Sequence, residues 1–417
     1  MAVSETRAER LRIGYLVPEF PAQSHTFFWR EISALRELGV DALLISTRRP
    51  PPGSISHLWA ETAMRNTHYL LSTNLYEWLA TLFFMLRRLT GRMGPLIAAL
   101  SDPEYAAPHA RLKLLATCFV AARLARFAQI HQLHHIHVGS CGRSAEVAAL
   151  GAILGDYSYS LSMLGPTFET YGRQHRLKWR GAAFGLFQSK MLEKQGRMVL
   201  GPDFPKRFAH APVGVDTDRM VRSAVYQTWT SGSTCRLYSC GRLDPVKGHE
   251  DVIDAVCILR ARGIDADLTI GGEDNHGGHG YRINIEKHIA KRHASQFVHL
   301  LGAVSEETNM HQYQTAHVYV MGSHDEAAGA VAAMEAMSMS TPVVMTRAGA
   351  TEELITNGLD GLLTEPRCPE QIADAVQRLL LDPELAERLR NDGRKKIQAH
   401  YSHFVSATAI YAFLTER

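Results

Sequence analysis

The pattern that most constrains this chain is an alternation of short buried strands with amphipathic helices. Ile13–Val17 predicts a strand, the apolar spacing from Phe28 to Gly39 predicts a helix, and Asp41–Ser46 predicts a second strand. A strand–helix–strand unit of this kind builds a parallel sheet, and further strand signals follow at 135–139 and 158–162. The first half of the chain is therefore predicted to be an α/β domain.

A second series begins near Arg236, where a strand at Leu237–Cys240 leads into a helix that ends at Gly263. Four more strands are predicted in this half: Ala266–Ile270, Val298–Leu301, Val318–Met321 and Pro342–Met345. Two such series need a hinge between them. Ala211–Asp216, which combines Gly and Pro, is its predicted position.

Two helix starts in the second half carry capping signals. Ser305 is predicted to cap the helix whose first turn holds two glutamates. Asp382 and Pro383 are predicted to begin another helix, with Gly393 at its end.

Composition excludes several classes of protein. A chain of 417 residues, 46% of them hydrophobic, has enough apolar material for two or three domains. Its 45 Lys+Arg and 42 Asp+Glu give a net charge of +3, which argues against nucleic-acid binding through a basic surface. The six cysteines form no CxxC pair, so neither a disulfide framework nor a zinc ribbon is predicted.

The sequence carries no signal typical of export or membrane insertion. The first residues are charged and lack the apolar core of a signal peptide. The most apolar stretch, Trp78–Leu86, is followed by Arg87 and Arg88 and is far shorter than the ~20 residues of a membrane helix. We therefore expect a cytosolic protein.

The strongest chemical signal is the motif GRLDPVKG at 241–248. It places Arg242 and Lys247 after a predicted strand, at the edge of the sheet where open α/β proteins bind ligands. Arg offers a planar fork of donors and Lys a compact charge, a combination suited to a diphosphate. The alternative is that both are solvated surface charges.

A second motif spans Asp325–Met337. Small residues around Gly329 allow close approach of a ligand to the backbone, and the N–H groups of the following helix would face a phosphate. Glu335 could accept the hydroxyls of a ribose, and Glu326 those of a sugar. The alternative is a small-residue helix that packs tightly on the sheet and carries two solvated glutamates.

Together these motifs resemble the retaining nucleotide-sugar glycosyltransferases of family 4. The second half has the family's segments in order: GRLDPVKG, LTIGGEDN, LGAVSEET, the helix with two glutamates, TPVVMTRAGATEELI and NGLDGLLTEP. In the first half, FPAQSHTFFWREI, HHIHVGSCGRSAEVAAL and YSYSLSMLGPTFE are similar to the branch that builds bacterial exopolysaccharides. The resemblance covers roughly residues 12 to 400.

The resemblance implies an α/β protein with the GT-B fold, in which two Rossmann-like domains with parallel sheets face each other. Residues 1–212 would form the acceptor-binding domain, 213–395 the nucleotide-sugar-binding domain, and 396–417 a C-terminal helix that packs back on the first domain. The donor would be a UDP or GDP sugar, transferred with retention to a glycan, lipid-linked or small-molecule acceptor. No cofactor and no metal are expected, because basic side chains and helix N-termini neutralise the diphosphate.

Individual roles also follow from the resemblance. The matching Arg242 and Lys247 bind the diphosphate, which is itself the main proton acceptor; Glu335 binds the ribose and Glu326 the hexose. Three glycines complete the expected donor site: Gly241, Gly272 and Gly329. The expected acceptor side consists of Ser24, His25, Leu164, Gly165 and Glu169.

The chain departs from the family pattern in three places. Eight residues separate Glu326 from Glu335 where the family has seven, so strict register would place Ala327 at the first glutamate. Leu164 stands where the branch has a His that helps to hold the transferred sugar. His25 stands where the branch has Glu in a Ser-Glu-Thr motif. His25 is either a substitute for the missing His or the result of drift.

Two further features have competing interpretations. Four histidines from His131 to His137 suggest a metal site, but side chains of a strand alternate between faces, which argues against one shared ion. The segment Leu75–Arg92 combines Trp, Phe and Leu with three arginines, which is typical of a helix on an anionic membrane surface. It is equally typical of a core helix whose arginines emerge at its end. The first interpretation would place the protein at the inner face of the membrane.

Other functions remain open at the level of the sequence. A sugar-nucleotide epimerase of the same fold would bind the donor without an acceptor. A non-catalytic nucleotide-sugar-binding subunit would explain the three departures from the family pattern. A transferase acting on a small natural-product acceptor would keep the chemistry and change only the acceptor.

Overall fold

The computed structural model describes residues 11–51, 55–71, 74–100, 108–165, 167–171 and 175–416. Two parallel sheets with helices on their faces organise these residues, which confirms the predicted α/β class. None of the helices in the described ranges is both long enough and apolar enough to cross a membrane.

The first sheet has seven strands in the order β3-β2-β1-β4-β5-β6-β7, all paired in parallel. The strands are β1 (Arg12–Glu19), β2 (Asp41–Arg48), β3 (Thr67–Tyr69), β4 (His135–Val138), β5 (Ser158–Met163), β6 (Gly185–Phe187) and β7 (Phe208–His210). The helices between them are α1 (Thr26–Glu37), α2 (Ala60–Arg65), α3 (Leu75–Leu100), α4 (Pro108–Ile130), α5 (Arg143–Leu154), α6 (His175–Trp179) and α7 (Lys190–Leu200).

The second sheet has six parallel strands in the order β10-β9-β8-β11-β12-β13. They are β8 (Cys235–Cys240), β9 (Ala266–Gly271), β10 (Val298–Gly302), β11 (Val318–Met321), β12 (Val343–Thr346) and β13 (Leu362–Thr364). Leu268, Ile270 and Val320 are fully buried, as expected for strands covered on both faces. The helices are α8 (His249–Ala261), α9 (Arg282–Lys291), α10 (Glu306–Thr315), α11 (Val331–Ser338), α12 (Thr351–Leu354), α13 (Pro369–Leu381), α14 (Pro383–His400) and α15 (Phe404–Thr415).

Each sheet belongs to its own compact unit. The described parts of 1–54, 59–211 and 406–417 form the first unit, and those of 55–58 and 212–405 form the second. The expected boundary at 395 lies inside α14. The C-terminal segment that belongs to the first unit begins at Ser406. Within that unit Phe413 stacks on Phe184, with ring centroids 4.7 Å apart, and Arg207 forms a 2.7 Å ion pair with Glu416.

The predicted helix starts are confirmed, but one predicted helix end is wrong. Ser305 Oγ accepts a hydrogen bond from Thr308 N (3.1 Å), and Asp382 caps α14 in the same way. Helix α14 continues through Gly393 to His400. A Cβ atom at Gly393 would lie 3.0 Å from the carbonyl oxygen of Asp360, so this glycine serves close packing instead of ending the helix.

Candidate donor and acceptor sites

The strand order of the second sheet reverses between β8 and β11. In parallel α/β sheets, the crevice at the carboxyl ends of two such strands is where ligands bind. The loop after β8 contains Gly241–Gly248, and the loop after β11 runs from Gly322 to Ala330. Both sequence motifs singled out for donor binding therefore lie at this edge of the second sheet.

Two glycines allow the loops at this edge to touch. A Cβ at Gly272, whose φ is +137°, would lie 1.9 Å from the carbonyl oxygen of Gly241. A Cβ at Gly248, whose φ is +59°, would lie equally close to the carbonyl oxygen of Gly322. Any side chain at these positions would force the loops after β8, β9 and β11 apart.

Lys247 and Glu326 form an ion pair within the proposed donor site. Lys247 ends a single 3₁₀ turn, and its Nζ donates a hydrogen bond to Glu326 Oε1. Ser323 Oγ donates to the same oxygen at 2.8 Å. The Glu326 side chain is only 9% exposed, so the carboxylate is buried and paired, not solvated.

The backbone around Glu326 is fixed as well. Ala350 N donates to the carbonyl oxygen of Glu326 at 2.7 Å. The next residue, Ala327, is buried and offers only a methyl group. Glu326 is therefore the polar side chain of this pair, and its role toward the hexose stays a prediction.

Arg242 differs from Lys247 in its surroundings. Its guanidinium is exposed and makes no ion pair with any residue in the described ranges. Its carbonyl oxygen accepts a hydrogen bond from His249 Nε2 at 3.0 Å. Burial lowers the pKa of His249, which keeps the imidazole neutral in this role. The loop thus has an anchored backbone and an available cation.

Glu335 lies in the middle of α11, buried against the sheet. The hydroxyl group of Tyr313 donates to Glu335 Oε2 at 3.0 Å, and both side chains are buried. Tyr238 and Tyr319 pack edge-on against Tyr313, with ring centroids 5.3 Å and 5.8 Å away. Burial and the neighbouring Glu335 raise the pKa of Tyr313, so the phenol remains a hydrogen-bond donor.

Sequence reasoning missed a second contact that holds the loop after β11. His324 Nε2 lies 2.7 Å from Asp251 Oδ2 on α8, and His324 N donates to the carbonyl oxygen of Val246 at 2.7 Å. These bonds tie the two motif-bearing loops together. The only sequence signal was a histidine just after a strand, which is too common to single out.

On the proposed acceptor side, Ser24 is exposed and His25 is half-buried at the start of α1. His25 Nδ1 lies 2.9 Å from the carbonyl oxygen of Glu19, and its ring contacts Phe28 edge-on. A carbonyl can only accept, so Nδ1 carries the proton. Burial lowers the pKa of His25, which leaves Nε2 as an acceptor on a neutral ring.

The other predicted acceptor residues lie after β5. Leu164 is half-buried, Gly165 accepts a hydrogen bond from the hydroxyl group of Tyr171, and Glu169 is exposed in a 3₁₀ turn. Strand β4 separates β1 from β5, so His25 and Leu164 follow strands about 10 Å apart.

A buried lysine that sequence reasoning missed supports this loop. Lys178 is fully buried, its Nζ donates to the carbonyl oxygen of Tyr171 at 2.7 Å, and it lies 3.8 Å from Glu146 Oε1. Burial raises the pKa of Glu146, while Lys178 opposes that shift. In the sequence, Lys178 belongs to the segment HRLKW and has the appearance of a surface charge.

The structure corrects the argument about the clustered histidines. His135 and His137 are two residues apart on β4 and therefore point to the same face, not to opposite faces. Both rings contact Ser160 Oγ at 2.8 Å. Their other nitrogens bond Ser158 and Ser162, so serine hydroxyls occupy all four ring nitrogens. Among the described residues, no group of three potential ligands could hold a metal ion.

Residues 234–396 match the family model described as Glycosyl transferases group 1. The alpha-D-kanosaminyltransferase of Streptomyces kanamyceticus is 33% identical over 162 residues, which are 39% of this chain and 40% of that protein. The D-inositol 3-phosphate glycosyltransferase of Pseudarthrobacter chlorophenolicus is 32% identical over 216 residues, 50% of each chain. This chain thus spans about half the length of the curated relatives that it matches.

Solved structures match over nearly the whole chain. HepE from Anabaena in complex with UDP has a TM-score of 0.71 at 15% identity, covering 97% of this chain and 100% of that one. Sucrose-phosphate synthase from Thermosynechococcus elongatus has a TM-score of 0.71 at 17% identity, covering 97% and 98%. The chain therefore has the fold of the GT-B glycosyltransferases, with two Rossmann-like parallel-sheet domains, and its residues 234–396 are similar to the group 1 glycosyl transferases.

Proposed function

We propose that this chain is a retaining glycosyltransferase that moves a hexose from a nucleoside diphosphate sugar to an acceptor in exopolysaccharide or glycoconjugate assembly. The observation that carries the proposal is the arrangement at the switch point of the second sheet. Arg242, Lys247 and Glu326 lie in the loops after β8 and β11, and Glu335 lies on the helix that follows. Two cations and two carboxylates so arranged suit a diphosphate flanked by a ribose and a sugar.

The proposed reaction breaks the bond between the anomeric carbon and the diphosphate oxygen. A new bond forms between that carbon and an acceptor hydroxyl, whose proton passes to the leaving diphosphate. Negative charge grows on the diphosphate as this happens, and Arg242 and Lys247 stabilise it. The N–H groups at the start of α11, next to Gly329, add to this stabilisation.

The ion pair between Lys247 and Glu326 gives the proposal a specific step. A donor phosphate competes with Glu326 for the ammonium group, since both are anions within its reach. Once Lys247 turns to the phosphate, Glu326 is left to accept hydrogen bonds from the hexose hydroxyls. Donor binding and positioning of the sugar are coupled in this way.

The contact between Tyr313 and Glu335 leads to a prediction about ribose binding. Glu335→Gln is expected to raise the donor KM. Tyr313→Phe is expected to raise it by about 5–10-fold. A hydrogen bond to a charged group contributes ~1.5 kcal/mol, and the loss is somewhat smaller here because the charged carboxylate of Glu335 stays in place. Tyr319→Phe is the matched control, since its hydroxyl bonds the carbonyl oxygen of Cys240. Titration with UDP and with a 2′,3′-dideoxy analogue measures the effect. Equal losses for both ligands in the Tyr313 variant would contradict the assignment.

The position of His25 leads to a prediction about turnover. If the acceptor nitrogen of His25 orients a reacting hydroxyl, His25→Ala should lower kcat by about 10²-fold and leave donor binding unchanged. Leu164→His should partly restore the rate. His134→Ala, at an exposed histidine of the same unit, is the control. A silent His25→Ala together with weaker acceptor binding in Leu164→His would favour an apolar acceptor pocket at Leu164.

The donor can be identified by thermal shift with UDP, GDP and ADP and their sugars. A donor at 100 times its dissociation constant stabilises the folded state by ~2.7 kcal/mol, which is easily detected. HepE has been solved with UDP-glucose, which supports testing UDP sugars first. GDP sugars come next, because a relative of 26% identity is a GDP-mannose-dependent mannosyltransferase. Retention is read from the anomeric configuration of the product.

A small-molecule acceptor is the second candidate, supported by the similarity to a D-inositol 3-phosphate glycosyltransferase. Product analysis with and without acceptor separates the proposals. Transfer only to lipid-linked sugars supports glycoconjugate assembly, and transfer to soluble sugars supports the small-acceptor alternative. Conversion of the donor without acceptor would identify an epimerase. Donor binding with neither transfer nor hydrolysis would identify a non-catalytic subunit.

A further inference from the structure

Helix α3 exposes an apolar stripe between Leu75 and Ile97, which is interrupted only where Leu89 is half-buried. Six large apolar residues spaced by three, four or seven positions lie on one face, each more than 40% exposed: Leu75, Leu79, Leu82, Leu86, Met93 and Ile97. Tyr76 and Phe83, each 70% exposed, extend this face. The stripe spans about 33 Å at 1.5 Å per residue. A core helix buries such a stripe, so the alternative of a core helix is wrong for this face.

The opposite face of α3 packs against the rest of the first unit. Thr81 is fully buried and Leu96 is buried, while Trp78, 41% exposed at the edge of the stripe, stacks on Phe119 of α4 with ring centroids 4.8 Å apart. Arg92 reaches Asp156, beyond α5, at 2.7 Å. Helix α3 therefore packs on α4 and α5, and the exposed residues of its apolar stripe are directed away from the unit.

Arginines line one side of this stripe. A groove of about 620 Å³ between α3 and α4 is lined by Phe83, Phe84, Arg87, Arg88, Arg126 and Ile130. Arg126 pairs with Glu77 at 2.6 Å, and Arg88 with Asp156 at 2.9 Å. Arg87 is exposed and forms no ion pair with any residue of the described ranges. In sequence, α3 has three arginines and one glutamate.

We propose that this face, which we call the α3 face, docks on the surface of an anionic phospholipid bilayer, with the groove at Arg87 receiving a lipid phosphate. The apolar stripe suits insertion into the boundary between headgroups and acyl chains, and Arg87 supplies the charge that a negatively charged surface attracts. Arginine also recognises phosphate through its fork of N–H donors.

The inference deepens the proposed function, because it rests on an acceptor carried by a lipid. A transferase with such an acceptor must work at the bilayer surface. The α3 face belongs to the first unit, to which the acceptor side was also assigned. Docking through this face would bring that unit to the surface where the acceptor lies.

The test uses the full chain and co-sedimentation with vesicles. Vesicles of phosphatidylcholine alone are compared with vesicles that also contain phosphatidylglycerol, at low and high salt. We expect binding to the anionic vesicles that weakens as salt rises. The double variant Leu79→Ser/Phe83→Ser should reduce the partition coefficient at least tenfold, and Arg87→Gln about fivefold.

Matched controls separate the face from general surface change. Val225→Ser removes an apolar side chain that is 82% exposed in the second unit, and Arg180→Gln removes an exposed charge of the first unit. Neither should change vesicle binding. Every variant is also tested for its melting temperature and for UDP and GDP affinity, which should equal those of the unmodified chain.

Three results would overturn the inference. The first is no binding to anionic vesicles. The second is binding that Leu79→Ser/Phe83→Ser and Arg87→Gln leave unchanged. The third is a concentration-dependent dimer, abolished by Leu79→Ser/Phe83→Ser, in place of vesicle binding, which would assign the face to a second copy of the chain. Intact nucleotide affinity in any of these cases would leave the proposed donor site standing, whereas a chain that binds vesicles but no nucleotide would remove the proposed function instead.

Discussion

Lys247→Ala is expected to lower the free energy of unfolding of the second unit by about 3–5 kcal/mol, because it leaves the buried carboxylate of Glu326 without its cation. Glu326 is 9% exposed, and after the substitution Ser323 would be its one remaining side-chain partner among the described residues. The measurement is urea-induced unfolding followed by a probe within the second unit.

The double variant Lys247→Ala/Glu326→Gln is the control for this prediction. It removes the unpaired charge and should recover most of the lost stability, since a neutral amide costs less to bury than an ion. A loss below about 1 kcal/mol in Lys247→Ala would mean that the pair behaves as a solvated surface pair.

The same contact determines how the donor site should be tested. Loss of nucleotide affinity in Lys247→Ala would combine a missing phosphate contact with a destabilised loop. Arg242→Ala avoids this difficulty, because Arg242 is exposed and unpaired within the described chain. It should leave stability nearly unchanged and weaken nucleoside diphosphates about 10–150-fold, with little effect on the nucleoside. If Arg242→Ala bound UDP and GDP as tightly as the unmodified chain does, the result would argue against the donor-site assignment.

Much of the fold could be predicted from the sequence because local signals and tertiary structure agree. The runs at Ile13–Val17 and Leu237–Cys240 are apolar and short, which suits strands that are buried on both faces. The caps at Ser305 and Asp382 are local hydrogen bonds that a short segment specifies by itself. Gly393 was misassigned because its function depends on Asp360, which is distant in sequence.

The edge of the sheet at which the candidate residues lie could be predicted from the sequence, but their contacts could not. Arg242 and Lys247 were found because a motif after a strand marks the edge of a sheet. The pairing of Lys247 with Glu326 depends on which strands are neighbours, and β8 and β11 are far apart in sequence. The contacts of Tyr313 and Lys178 are not predictable for a different reason: nothing in their local sequence shows that they are buried.

The second large effect is expected on acidification, and it arises in the first unit. Burial lowers the pKa of His135 to about 4 and that of His137 to about 3. Both rings are therefore neutral in the folded protein, whereas an unfolded histidine takes up a proton near pH 6.5. Stability from this source is complete above pH 6.5 and is lost as the pH falls toward 3. The cost is roughly 3 kcal/mol for His135 and 5 kcal/mol for His137 if each acts alone.

The two contributions are not additive, because both rings bond the hydroxyl of Ser160 and one protonation disrupts the bonds of the other. Acid unfolding of the unmodified chain should begin in the first unit between pH 6 and 4. Circular dichroism or hydrogen exchange measures it. The double variant His135→Gln/His137→Gln should be less stable at neutral pH. Its free energy of unfolding should also fall less steeply as the pH is lowered, which gives the curve of stability against pH a flatter acid branch. An unchanged acid branch would assign acid sensitivity to other groups.

Glu31 provides an opposite pH dependence in the same unit. Burial raises its pKa to about 7, so the folded protein keeps a proton that the unfolded chain releases above pH 4.5. Stability from this source is present below pH 4.5 and is lost as the pH rises through 7. Glu31→Gln should therefore stabilise the first unit at pH 8 by about 3 kcal/mol and have little effect at pH 4. Since the histidines act on the acid side and Glu31 on the alkaline side, their variants should flatten opposite branches of one stability curve. A Glu31→Gln variant that is destabilised equally at both pH values would show that its carboxylate is ionised and hydrogen-bonded in the folded state.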